Sequence, residues 1–272
     1  MPTLQQYVRL LTVSMVMAVS VTPLHAAQTP AAAAPAAQLE PKALDVLKAM
    51  SARLTGTQGL SFKAVTTYEK PSRLGPPLAY TSVALVTEQR PDQLRVMTSG
   101  DGPATEFYYD GKQAYAFQRK DNLLAQVDGP PTIDAMLEAA YLRAAIYFPF
   151  TDVIVADPYK DLSRDMRVAF YIGQSTVVGD TTTDVIAYTS DTVFVQAWIG
   201  TEDKLPRRLR AVFLDDPTRS RHQIDFSDWK LSSTMPAAFF KPDGIESAHR
   251  IKFVPPPVLR APQGAKEPVT QP

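Results

Sequence analysis

Beyond residue 27 the chain carries only two histidines, His222 and His249. They are too far apart to share a helical turn, and neither flanks a carboxylate at metal-ligand spacing. Zinc-dependent hydrolysis therefore finds no ligand set, and no metal site is expected. Cysteine is absent. That removes a thiol nucleophile, a disulfide in an oxidising compartment and a cysteine for lipid attachment. Gly173-Gln174-Ser175 begins like a nucleophile elbow but lacks the second glycine, and no Gly-rich phosphate loop occurs. Carboxylates come in two pairs. Asp215-Asp216 stands before Pro217 and reads as a turn, because Asp bonds its own backbone. Asp225 and Asp228 read as a strand face and a strand-end bend; an acid/base pair of the glycosidase type is the competing reading, with no spacing rule behind it. His222 reads as an ordinary strand residue. Arg207, Arg208 and Arg210 suit an edge or solvent face, or contact with an anionic head group. No catalytic residue and no cofactor is expected.

Charge is balanced, with 28 Lys and Arg against 28 Asp and Glu. A protein that tracks phosphates shows a basic stripe, so nucleic acid is not an expected partner.

The aromatic residues carry more information. Tyr108, Tyr109, Tyr115, Phe117, Tyr188, Phe194, Trp198, Phe213, Phe226 and Trp229 all fall in or beside strand-like segments. In residues 193–199, alternation puts Val193, Val195, Ala197 and Ile199 on one face and Phe194, Gln196 and Trp198 on the other. Both faces are largely apolar, whereas a strand with one side in water alternates apolar with polar. Something must cover the second face, whether core or ligand.

The elements that would position these residues follow from the hydrophobic period. Residues 39–54 repeat Leu44, Leu47, Met50 and Leu54 on one helical face, with Pro41 near the start. The period then changes to that of strands, over 61–68, 79–89, 93–98, 105–109, 112–118 and 123–127, separated by turn residues such as Asp110-Gly111. Residues 132–148 return to helix: Ile133, Met136, Leu137, Ala140, Tyr141 and Ala144 share a face, Thr132 suits the N-cap, and Pro149 ends or kinks the element. An apolar piece at 150–155 precedes Asp157-Pro158, read as a break. Strands resume over 167–178, 183–189, 193–199, 207–214, 222–231 and 248–253. The order is helix, meander, helical insert, meander.

The ends differ from this middle. Residues 1–27 have Arg9, an apolar run of about 15 residues and small residues near Ala26 and Ala27. That is a cleavable secretory signal, too short for the ~20 residues that span a bilayer, so no stable membrane insertion is expected. Residues 28–38 are an Ala/Pro-rich linker and 255–272 a Pro-rich tail, both expected to be disordered. A single domain over 39–254 is large enough for a substantial core.

Several short motifs stand in a consistent order: YYDGKQAYAF (108–117), PPTIDAMLEAA (130–140), ADPYKDL (156–162), YIGQSTVVG (171–179), VQAWIG with LPRRL (195–209), DFSDWKL (225–231) and FFKPDGIESAHRIKF (239–253). In these the chain resembles a bacterial family of predicted periplasmic proteins, a conserved domain without assigned function, itself similar in fold to the LolA and LolB lipoprotein carriers. The resemblance implies an α+β, mainly antiparallel architecture: a strongly curved open half-barrel with helices packed on its concave face around an apolar cavity. It also implies a periplasmic location.

The expected function is a non-enzymatic periplasmic binding or carrier protein for a lipid, an acylated protein or another apolar ligand. Met136, Tyr141, Phe194 and Trp198 are the candidate lining residues. The alternative is an envelope structural or partner-binding protein with a filled core. A hydrolase using Asp225, Asp228 or His222 comes last.

Overall fold

The computed structural model describes residues 38–231 and 234–254. The expected signal segment, linker residues 28–37 and Pro-rich tail lie outside them. Gln38, the last residue of the expected linker, already belongs to a strand.

The first half runs β1 (Gln38–Leu39), α1 (Pro41–Thr55), β2 (Gly59–Lys70), β3 (Leu78–Gln89), β4 (Gln93–Gly100), β5 (Thr105–Asp110), β6 (Gln113–Gln118) and β7 (Leu123–Asp128). The insert is α2 (Ile133–Ala144), α3 (Thr151–Ile154) and α4 (Pro158–Ser163). The second half is β8 (Val168–Ser175), β9 (Thr183–Thr189), β10 (Val193–Gly200), β11 (Pro206–Phe213), β12 (Arg221–Leu231) and β13 (His249–Ile251). All the described strands join one large, open, curved sheet in the order β1-β8-β9-β10-β11-β12-β2-β3-β4-β5-β6-β7-β13. It is antiparallel except at its ends, where β1 lies parallel to β8 and β13 parallel to β7. The two meanders meet where β12 pairs with β2.

Register shows which side is the core. One cross-strand row runs Ile186, Ala197, Leu209, Ile224, Thr66 and Ser82. Another runs Phe62, Val86, Val96, Phe107, Ala116 and Ala125. Most of these side chains are buried, in one cluster with the helices. This is the inner face.

Helix α1 buries Ala43, Leu47, Met50 and Leu54, which recur at three- and four-residue spacing, and packs on β8 and β9. Helix α2 buries Ile133, Met136, Leu137 and Ala140 in the same core. Thr132 is its N-cap, accepting a hydrogen bond from Ala135 N at 3.2 Å. The helix stops at Ala144, short of the expected Phe148. Ala145 turns left-handed (φ 53), with its N–H bonding Tyr141 O at 3.0 Å and Ile146 N bonding Ala140 O at 3.1 Å. Phe148 and Phe150 therefore re-enter the core from an irregular segment.

Asp157-Pro158 starts a helix where a break is expected. The Asp157 carboxylate accepts from Lys160 N at 3.0 Å, and Pro158 occupies the first helical turn, where its missing N–H is harmless. The insert is fastened to the sheet at the β3–β4 turn. Arg90 Nη1 donates to Val155 O at 3.2 Å and Ile133 N to Pro91 O at 3.0 Å, while within the insert Ala156 N donates to the Asp134 carboxylate at 3.0 Å.

The outer face of β4–β7 is covered as well. Tyr108, Tyr115, Phe117 and Leu124 form a second buried cluster against Met97, Ile245 and Ala248. Arg95 lies between the rings of Tyr108 (5.2 Å) and Phe239 (4.3 Å), tying the 3-10 turn Ala237–Phe240 to the sheet.

Candidate functional site

Between the inner face of β9–β12 and the insert lies a cavity of about 570 Å³, within the range of small-molecule sites. Its floor is set by register: Val195 pairs with Ala211, Ala211 with His222, and Leu209 with Ile224, so these side chains share one face. Val193 and Phe213 extend it. Tyr147, Pro149, Leu162 and Met166 line it from the insert. Two further cavities, of about 390 and 280 Å³, follow along the inner face. The first and second share Tyr147, Pro149 and His222; the second and third share Thr98, Thr105, Ile146 and Phe148. The three make a succession of clefts past the segment that follows α2.

The carboxylates that line the main cavity are not matched by any Lys or Arg in its lining. Asp152 is exposed, and what it faces is the cavity. The surrounding protein pushes its carboxyl up to about 6, with the charge of Asp161 adding to the rise. Burial, and then Asp152, raise the Tyr188 phenol. Tyr147, although 56% exposed, is pushed up to about 12 by the protein around its phenol, helped by Asp152 and Tyr141. His222 is held below its ordinary value by burial and then by Lys70. Its ring meets Tyr68 at 5.8 Å and Phe213 at 5.1 Å.

None of the four candidate lining residues borders this cavity. Met136 is buried in the core beneath α2, 1% exposed. Tyr141 is 60% exposed beside Tyr147, their rings 6.5 Å apart. Phe194 and Trp198 lie on the outer face of β10, half-buried, because Val195, Ala197 and Ile199 take the inner one. Trp198 is covered by its own sheet: the Arg208 guanidinium sits 5.8 Å from the ring and is held by Asp225 at 2.5 Å. At Trp198 the second apolar face of β10 is thus covered from the neighbouring strand β11.

The acid/base readings separate in the same way. His222 is on the inner face, whereas Asp225 is on the outer face, paired with Arg208 and accepting from Gln223 at 3.0 Å. Asp228 is at the irregularity of β12, with φ 57. The three do not converge. Arg207 is half-buried and paired with Asp203, and Arg208 is half-buried and paired with Asp225. Among the described residues no group of three or more His, Cys, Asp or Glu could hold a metal ion, and no helix is long and apolar enough to cross a membrane.

Fold and site together define a class: a large, open, mainly antiparallel sheet with a small helical insert and an apolar cleft between them. The chain belongs to the family described as predicted periplasmic protein (DUF2092), which matches it over residues 43–254, and its compartment is the periplasm. Among solved structures it is similar to LprF from Mycobacterium bovis, at 17% identity over 74% of this chain and 98% of that one, with a TM-score of 0.43. It is also similar to the LolA superfamily protein NE2245 from Nitrosomonas europaea, at 13% identity over 74% and 98%, with a TM-score of 0.33. A third is the MucA/MucB complex from Pseudomonas aeruginosa, at 14% identity, covering 77% of this chain and 64% of that one, with a TM-score of 0.41. No curated protein sequence matches the chain.

Proposed function

We propose that the protein is a periplasmic binding or carrier protein that holds an apolar or amphiphilic ligand between the inner face of its sheet and the helical insert. The observation that carries this reading is the apolar floor of the 570 Å³ cavity, in which Val193, Val195, Leu209, Ala211, Phe213 and Ile224 line one space rather than closing on one another. In this reading the sheet is a half-barrel, the inner face is its concave side, and residues 39–254 act as one domain. Each methylene buried on that floor contributes about 0.8 kcal/mol, so an alkyl chain supplies affinity without any catalytic group.

The test is denaturing extraction and mass spectrometry of protein purified from periplasm without detergent, alongside calorimetric titration with a twelve-carbon alcohol. A stoichiometric amphiphile, or saturable binding of the alcohol, supports the reading. Neither one, from folded protein, sinks it.

A further inference from the structure

The floor of the main cavity is apolar, but its walls carry one sign of charge. Asp152, Asp161, Asp165, Asp191 and Asp215 all line it, and no Lys or Arg does. The whole chain is balanced at 28 against 28, so this is a local bias. Two of the five are neutralised from outside the cavity: Asp161 by Arg164 at 2.6 Å and Asp191 by Arg167 at 2.9 Å. Asp152, Asp165 and Asp215 come from three separate stretches of chain and have no hydrogen-bond or ion-pair partner among the described residues. Asp152 is the most telling, because it borders the apolar floor, faces the cavity and has no such partner.

We propose that the cavity takes a cationic amphiphile, its alkyl chain on the Val195, Ala211 and Ile224 floor and an ammonium group among Asp152, Asp165 and Asp215. This rests on the cavity reading above and adds the chemistry of the head group. Carboxylates that line one low-dielectric space repel one another, as Asp161 does Asp152, and a cation taken into that space relieves the repulsion and replaces the water they lose. The rings of Tyr147, Tyr188 and Phe213 line the same space, and aromatic faces attract ammonium groups. A carboxylate or sulfate head would meet only like charge.

The experiment titrates the full chain with three twelve-carbon probes: dodecyltrimethylammonium, dodecanol and dodecanoate, all below their micellar concentrations. The ammonium binds at least tenfold tighter than the alcohol, and the carboxylate weaker than the alcohol. In an Asp152→Asn, Asp165→Asn, Asp215→Asn variant the three affinities converge to within about threefold. Circular dichroism confirms its fold, and Asp215→Asn alone, at an exposed turn, gives a partial loss of preference should the triple variant be damaged. The probe's charge does not change with pH, so its affinity rises between pH 5 and 7.5 as Asp152 ionises. The other groups facing the cavity are Asp161, Asp165, Asp191, Asp215, Tyr147, Tyr188 and His222. A proton on His222 at low pH acts in the same direction. Dodecanoate binding as tightly as the ammonium, or a preference that survives the triple variant, overturns the head-group assignment and leaves the apolar cavity standing. If none of the three probes binds, the cavity reading falls with it.

Discussion

Arg90 Nε stands 3.0 Å from Glu88 Oε1 with the Glu88 side chain wholly buried, yet neither oxygen of that carboxylate is aligned to accept a hydrogen bond. The same arginine reaches Val155 O in the insert. The pair therefore sits where the core sheet meets the helices that border the cavity, and its charge state matters to both.

Burial pushes Glu88 up to about 8, against the opposing pull of Arg90 and with a smaller push from Asp134. A carboxyl raised in the folded state gives stability that is fully present below its unfolded value, near 4.5, and lost as pH rises through about 8. Glu88→Gln keeps the shape and the neutral state. Urea melts of the two proteins should agree in their pH trend up to about pH 4.5 and then separate, the variant gaining on wild type until about pH 8. The gap is a few kcal/mol at about 1.4 kcal/mol per pKa unit. Parallel curves across that window would refute the assignment.

Thr132 closes the first turn of α2 through Ala135 N. Thr132→Ala removes the acceptor and costs about 1 kcal/mol. Thr132→Ser restores most of it, which separates the cap from the loss of the threonine methyl. Equal destabilisation by both substitutions in thermal melts would show that the methyl, and not the hydroxyl, is what counts.

On the outer face, Arg95 bridges Tyr108 and Phe239. Arg95→Ala costs about 1 kcal/mol, and the loss is local, since the inner core is untouched. Trypsin should therefore cleave faster at Arg250, Lys241 being protected by the following Pro242, while the global melting temperature moves by only a few degrees. Unchanged cleavage would mean that the pairing of β13 with β7 and the packing of Ile245 and Ala248 hold this segment on the sheet without Arg95.

Much of the architecture was legible because local signals agreed with one another. The strands at 183–189 and 193–199 fall within a residue of β9 (Thr183–Thr189) and β10 (Val193–Gly200), and Thr132 caps α2 as its side chain suggests. Two short elements hid behind ambiguous residues. Asp157-Pro158 reads equally as a break and as a cap followed by a first-turn proline, and Ala145 gives no hint of a left-handed turn. The site was harder, because each strand chooses its face by register and a slip of one residue exchanges the faces. A signal was present in β11, where Arg208 and Arg210 mark the outer face and leave Leu209, Ala211 and Phe213 inside. Carrying that choice to β10 requires the turn geometry, and a register irregularity lies between Trp198 and Ile199. Without the pairing, Trp198 and Val195 were equal candidates for the cavity.

That choice of face yields the sharpest test of the site. Ala211 sits on the inner face between Val195 and His222 and lines the cavity, so Ala211→Trp places an indole in the space a ligand chain would use. Trp198 is on the opposite face, packed under Arg208, and Trp198→Ala removes ring contacts worth about 1–2 kcal/mol without touching the floor. Binding of dodecanol, measured by calorimetry, should fall at least tenfold in Ala211→Trp, with the melting temperature nearly kept. In Trp198→Ala the affinity should stay within twofold of wild type while stability drops. The two variants thus dissociate affinity from stability in opposite directions, which nonspecific damage to the sheet cannot do. If instead Trp198→Ala abolishes binding and Ala211→Trp does not, the ligand lies on the outer face, and the expectation that Phe194 and Trp198 line its site is the right one.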